Sequence, residues 1–313
     1  MYRYRLGKGL LLITLVLGLV FINTGVTKGI DKAKIGDVSK CLECHEEEAA
    51  EWEKGPHAKS LDLLKGIDKV KKECLSCHST DYQLSNKKNE LTVSKVKYGV
   101  NCLSCHNDDP EIGKSRDKHL ADYKKLRRSE KETCGECHSA QLANGVAKPG
   151  QEVNHAQQNL YYGFGGINVE DRPAEMVRAG VTCSSCHMLP KEKGAKRAHT
   201  FRSILPGEGE PNSCINSGCH ANFGSTMFAG MLEMRVMEVE DMLATVKEKL
   251  KAKRDYKNTE AYKVAKTNYL MVKEDKSQGL HNLYYTRSLL WEAEDQLDSI
   301  KVKEAKKEAS QQE

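Results

Sequence analysis

The residues able to do chemistry in this sequence are its cysteines and the histidines that follow them. Between Ala179 and Ala221 stand Cys183-Ser184-Ser185-Cys186-His187 and Cys214-Ile215-Asn216-Ser217-Gly218-Cys219-His220. Four more groups precede them: Cys41-Leu42-Glu43-Cys44-His45, Cys74-Leu75-Ser76-Cys77-His78, Cys102-Leu103-Ser104-Cys105-His106 and Cys134-Gly135-Glu136-Cys137-His138. In each, two thiols are followed at once by a histidine. With this spacing both thiols can add across the two vinyl groups of one porphyrin while the imidazole turns back onto its iron. It is the C-x-x-C-H signature of c-type haem attachment. The last group keeps both thiols and the ligand but separates the cysteines by four residues, a rarer variant.

All twelve cysteines are used, two per group. Zinc ribbons, disulfides and thioredoxin-like pairs also bring cysteines together, but none requires a histidine after every second one. With 11 histidines in 313 residues, six such coincidences have a chance on the order of 10⁻⁹. The sequence therefore predicts six covalently attached haems c, with the motif histidines as first axial ligands.

The second axial position sets potential and reactivity. The histidines left for it are His57, His119, His155, His199 and His281. His57, in Trp52-Glu53-Lys54-Gly55-Pro56-His57-Ala58, and His199, in Ala198-His199-Thr200-Phe201, are the best placed; His119 lies in a charged neighbourhood. Six irons with two histidines each would need twelve, and the chain has 11. At least one iron must do without a second histidine from its own chain.

The elements that would hold these groups are helical. The motifs begin at 41, 74, 102, 134, 183 and 214, too unevenly for a repeat of fixed period. Charged, helical-looking stretches alternate with breaks such as Asn107-Asp108-Asp109-Pro110 and Lys148-Pro149-Gly150. The expectation is a mainly α fold: short helices and loops wrapped around haems over 41–222, almost no sheet, and a C-terminal helical region over 223–300. In that region Leu232, Val236, Val239, Leu243, Val246 and Leu250 form a helical stripe. A second periodic segment runs from Tyr262 to Val272, and a third helix begins after Asn282 as N-cap. Met227, Met231, Met234 and Met237 read as core filler. The aromatics of Tyr161-Tyr162-Gly163-Phe164-Gly165-Gly166 are expected on haem faces, and its glycines where backbone closely approaches a porphyrin or another chain. Residues 301–313 read as a solvated tail.

At 30% charged, 6% aromatic and a mean hydropathy of −0.62, the composition argues against a conventional core, leaving the haems to supply apolar surface. The formal charge of +5 does not signal nucleic acid. Arg3, Arg5 and Lys8 account for three of these charges, and two propionates per ferric haem would take the holoprotein to about −4. These three residues and the apolar run Leu10–Ile22 read residues 1–25 as an export signal, followed by a linker over 26–40. A retained membrane anchor over Gly9–Val26 is the alternative. Both place the haem-bearing part outside the cytoplasm, periplasmic or otherwise extracytoplasmic.

The stretch from Trp52 and His57 back to Cys44-His45 resembles cytochrome c554-type multihaem proteins. The longer run is similar to the cytochrome c nitrite reductase and octahaem hydroxylamine oxidoreductase superfamily. It is carried by Tyr98-Gly99-Val100-Asn101 with the Cys102 motif, the Cys134 motif, Ala179-Gly180-Val181-Thr182 with the Cys183 motif, His199 and Gly279-Leu280-His281-Asn282. The resemblance implies closely stacked haem pairs and long C-terminal helices that often mediate dimers. It also aligns Cys74–His78 with the reductase's catalytic haem. There the usual lysine ligand is replaced by His78, the reductase's tyrosine by Gln141, and its distal histidine has no clear counterpart, Arg172 or His155 standing nearest. On this alignment His78 holds the iron expected to lack a second histidine.

The leading expectation is an electron carrier working with redox partner proteins, its haems mostly ligated by two histidines. The alternatives are an oxidoreductase acting on a small nitrogen or sulfur species at one open haem, and a subunit of an extracellular cytochrome filament.

Overall fold

A computed structural model describes residues 41–85, 88–106, 129–189, 197–207, 212–215, 220 and 222–301. The export segment, the linker, His119, Cys219 and residues 302–313 lie outside the described residues. Among those described there are twelve α-helices and no strand. In chain order the first nine are α1 (Glu46–Lys54), α2 (Ser60–Lys65), α3 (Leu75–His78), α4 (Thr80–Leu84), α5 (Cys102–His106), α6 (Glu130–Gly135), α7 (Gln157–Tyr162), α8 (Glu175–Arg178) and α9 (Cys183–His187). Three long helices follow: α10 (Ser225–Ala252), α11 (Glu260–Asp275) and α12 (Leu283–Ser299). The mainly α expectation holds.

Helix boundaries follow local chemistry. The Thr259 side chain accepts from the Tyr262 amide and starts α11; Asn282 accepts from the Tyr285 amide and starts α12, as the sequence indicates. Lys276, left-handed at φ 60°, ends α11. The Lys253–Thr259 break holds a single 3₁₀ turn, Arg254–Tyr256.

The three long helices contain a conventional hydrophobic core, which the averaged composition hides. Val239, Val246 and Leu250 of α10 meet Val264, Ala265, Met271 and Val272 of α11 and Leu289, Leu290, Ala293 and Leu297 of α12. The segment between the fourth and fifth motifs closes over this core with Ala140, Val153, Ala156, Leu160 and Ile167. Its backbone is tied down: Asn268 accepts from the Ile167 amide and donates to the Ile167 carbonyl, both at 3.0 Å, and the Gly166 amide donates to the Tyr285 hydroxyl at 2.7 Å. A Cβ at Gly166 would sit 2.5 Å from Leu289 Cδ2, and one at Gly163 (φ 62°) 1.8 Å from the Arg172 carbonyl. The close approach these glycines permit is to the chain's own backbone and helices.

The N-terminal part has only small apolar clusters, one around Leu61, Leu64, Leu75 and Val96 and one around Trp52. Apolar side chains are thus segregated into the helices that carry no haem motif. One expectation needs correcting. Met227, Met234 and Met237 are 55%, 65% and 56% exposed, so they do not fill the core. Apart from Phe228, α10 buries side chains only from Val239 onward, leaving most of its N-terminal half in solvent.

Candidate metal centres

In each C-x-x-C-H group one helical turn brings the two thiols (i, i+3) and the imidazole (i+4) to one side. Where the motif histidine lies outside an α-helix the turn is still closed: the His45 and His138 amides each donate to the carbonyl of their first cysteine at 2.9 Å. Polar residues just before the motifs supply the start signals. Asn101 Oδ1 accepts from the Leu103 amide, and Asn212 Oδ1 from the amides of Cys214 and Ile215. Thr182–Ser185 and Ser129–Glu132 are capping boxes. Ties between distant elements then fix the turns relative to one another. Trp52 Nε1 donates to the Val100 carbonyl at 3.0 Å, the Val100 amide to Ser60 Oγ at 2.8 Å, and Ser184 Oγ to Glu130 Oε1 at 2.5 Å.

The turns bring histidines from distant parts of the chain face to face. Ring centroids are 5.9 Å apart for His57 and His138, 5.8 Å for His78 and His155, 6.4 Å for His106 and His199, and 6.2 Å for His187 and His281. Two metal–nitrogen bonds of about 2.0–2.1 Å, each with about 1.1 Å to its ring centre, would place trans imidazoles about 6.3 Å apart. Each pair joins one motif histidine to one of the spare histidines. His155 is also 6.0 Å from His138. Assigning one spare ring to each motif ring leaves His138 for His57 and His78 for His155.

A histidine ring, that of His155, thus faces His78, the position for which the alignment gives no clear distal counterpart. The two motif histidines outside these pairs are His45, with Nδ1 3.7 Å from Glu48, and His220, stacked on Phe228 at 4.6 Å. His119 lies outside the described residues, so the structure does not place it.

The nitrogen available to a metal is set by what holds the other one. Nδ1 of His78 is 2.9 Å from the Ser60 carbonyl, that of His199 2.9 Å from the Arg197 carbonyl, and that of His187 3.4 Å from the Phe201 carbonyl. His138 Nδ1 is 3.4 Å from the Gln157 side-chain oxygen, and His281 Nδ1 is 2.6 Å from Asp275 Oδ1. In all five the Nε2 lone pair is left for iron. Burial, aided by the neighbouring His187, pushes His57 down to about 4; burial, with His57 and His155 beside it, does the same to His138. His155 and His187 are also lowered, chiefly by burial. Burial opposes the charge on His281 too, but the Asp275 carboxylate outweighs it and the net shift is upward. The downward shifts favour neutral imidazoles at His57, His138, His155 and His187, the form a metal requires.

A pH dependence follows from the lowered values. His57 and His138 take up protons near 6.5 once unfolded but only near 4 in the folded chain, and iron ligation would hold them neutral to lower pH still, so stability falls as pH drops from about 6.5. The denaturation midpoint of the holoprotein, measured from pH 7 to 4, is expected to decline across that window; a flat profile would contradict the buried neutral pairs.

The motifs also adjoin one another. Cys77 and Cys137 adjoin, and each shifts the other: Cys77 is brought down to about 7 while Cys137 is pushed far up by its neighbour and by burial. Cys134 and Cys183 behave alike, Cys183 falling to about 7. Burial and then the neighbouring Cys41 raise Cys102 to about 11; burial and then Cys186 raise Cys214 to about 11. Cys105 adds to the upward shift of both Cys134 and Cys137. No disulfide joins these thiols among the described residues. Free thiols in pairs, three of the pairs beside an imidazole whose Nε2 is left available (His78, His138 and His187), fit covalently attached haem.

Comparison with known proteins agrees. Residues 40–107 match the family model described as cytochrome c554 and c-prime. The outer cell wall cytochrome OcwA is 34% identical in a superposition covering 79% of this chain and 50% of that one, with a TM-score of 0.68. The chain is a multihaem cytochrome c. An undecahaem cytochrome from the S-layer of Carboxydothermus ferrireducens shares the cytochrome's fold at 23% identity and a TM-score of 0.62, covering 83% of this chain and 45% of that one. The nitrite reductase of Desulfovibrio desulfuricans does so at 14% identity and a TM-score of 0.51, covering 77% and 69%. The cytochrome thus spans about half the length of the first two. No curated protein sequence matches it.

Sequence reasoning missed Ser60, Gln157 and Asp275, whose oxygens hold the rings of His78, His138 and His281. Gln157 lies 19 residues after His138 and Asp275 six before His281, and neither carries a spacing signal. Ser60 follows His57 by three residues but acts on His78.

Proposed function

We propose that this chain is an exported hexahaem cytochrome that conducts electrons along closely spaced haems. The observation that carries this reading is the set of four histidine pairs, each at the spacing of two ligands on one iron. An iron with two histidines has no position open to substrate, and its function is to accept and pass on electrons. The His78–His155 pair bears most on the choice, because it occupies the place the nitrite reductase alignment reserves for catalysis.

The thiol adjacencies give the proposed order. The Cys41 motif adjoins Cys102, which leads through Cys105 to the Cys134 motif. From there one branch goes to Cys77, the other to Cys183 and on to Cys214. The Cys134–His138 haem would be the junction. Residence outside the cytoplasm is supported by the cell-wall and S-layer cytochromes that share the fold and by the signal-like residues 1–25. No helix among the described residues is long and apolar enough to cross a membrane.

The second reading keeps one open or externally ligated iron, and the histidine count favours it. Four pairs consume eight of the 11 histidines, and His45, His119 and His220 can make at most one more pair. The shortfall then belongs to the iron of His45 or of His220, either of which could take a small ligand or a side chain from a neighbouring subunit.

Haem content is the first test. Denaturing mass spectrometry of the mature protein is expected to give the chain mass plus six haems. A mass with five would mean that Cys214 and Cys219 do not hold one.

A further inference from the structure

His281 differs from His78, His138, His187 and His199 in what stands behind its ring. Asp275 is the last residue of α11 and is 2% exposed. Its Oδ1 accepts from His281 Nδ1 at 2.6 Å, its Oδ2 accepts from the Ser277 hydroxyl, and that hydroxyl in turn accepts from the His281 amide at 3.2 Å. By contrast, Nδ1 of His78, His187 and His199 meets a backbone carbonyl and that of His138 a side-chain amide, all neutral acceptors.

A buried carboxylate is costly unless a positive charge compensates it. With His281 bound to iron through Nε2 the ring itself is neutral, and the compensating charge is the single net positive charge of a ferric porphyrin core. One-electron reduction removes that charge and leaves Asp275 facing a neutral centre. The same hydrogen bond makes the imidazole a stronger donor, as carboxylates behind ligating histidines do. Both effects favour the oxidised iron. No bond is made or broken in the redox step, and the Nδ1 proton stays between His281 and Asp275.

We propose that Asp275 lowers the reduction potential of the iron held by His187 and His281, making the Cys183–Cys186 haem the low-potential step between the Cys134 and Cys214 motifs. This rests on the reading of His187 and His281 as ligands of one iron. Asp275 acts through His281 and is a positioning and tuning residue.

The test is a spectroelectrochemical titration of the full-length holoprotein, with dithionite as reductant, together with electron paramagnetic resonance of the oxidised form. In Asp275→Asn, one of the six one-electron components is expected to shift upward while every haem stays low-spin where it was; Asp275→Glu should return it toward the original value. Ser277→Ala removes a hydrogen bond that draws charge from Asp275 and should shift the same component downward. Such opposite signs would not arise from loosened packing. His281→Ala checks the underlying reading, since it should turn one low-spin haem high-spin. If His281→Ala opens a haem but neither Asp275→Asn nor Ser277→Ala moves one component selectively, the proposal fails while the ligand reading stands. If His281→Ala leaves the low-spin count unchanged, the ligand reading itself fails. Should Asp275→Asn not retain six haems, the downward shift in Ser277→Ala decides.

Discussion

Replacing His155 with alanine is expected to convert one low-spin haem into a high-spin haem that binds cyanide and nitrite. His155 lies 5.8 Å from His78, on the haem that the nitrite reductase alignment marks as catalytic. Its backbone is left-handed at φ 56°, a conformation that costs a histidine on the order of 1 kcal/mol or more. The cost is sustained because Val153 and Ala156 on either side are buried in the core formed with α11 and α12. The C-terminal helices thus press His155 toward His78. The effect should be large and specific: one haem changes spin state, no haem is lost, and added imidazole restores the low-spin form. If the low-spin count does not change, His155 is not the ligand.

The second large effect concerns the junction. Replacing Cys134 and Cys137 together with serine is expected to remove one haem and divide those remaining into three groups: Cys41 with Cys102, Cys74 alone, and Cys183 with Cys214. After pulsed reduction, electrons should no longer redistribute among these groups on the timescale of the unmodified protein. The matching replacement at Cys41 and Cys44 removes a haem from one end of the route and should leave exchange among the other five intact. Comparing the two separates loss of the junction from loss of any one haem. Equal effects would contradict the branched order.

Much of this was readable from the residues. The motif cysteines and histidines declare themselves by spacing, because attachment requires both thiols and the ligand within one turn. Of the six-residue stripe on α10, Val239, Val246 and Leu250 are buried while Leu232, Val236 and Leu243 are only partly so, and the Asn282 cap appears as its side chain dictates. Pairing was not readable, since His78 and His155, or His187 and His281, meet only through tertiary packing. Alignment points to His78 as the under-ligated position because its motif falls on the superfamily's catalytic haem; packing of the 139–167 segment on α11 and α12 brings His155 to face it. The methionines of α10 misled because their spacing is that of a buried face, yet the helix runs past the elements it packs against. Asp275 was hidden among acidic residues near the end of α11, and only its burial distinguishes it.

The ligand pairs are the centre of this account, and an experimental structure of the holoprotein that resolves the irons and their axial atoms tests them most directly. It should show Nε2 of His57 and His138 on one iron, of His155 and His78 on a second, of His199 and His106 on a third, and of His281 and His187 on a fourth. Water, an empty position or a different side chain opposite any of His78, His106, His138 or His187 would contradict it.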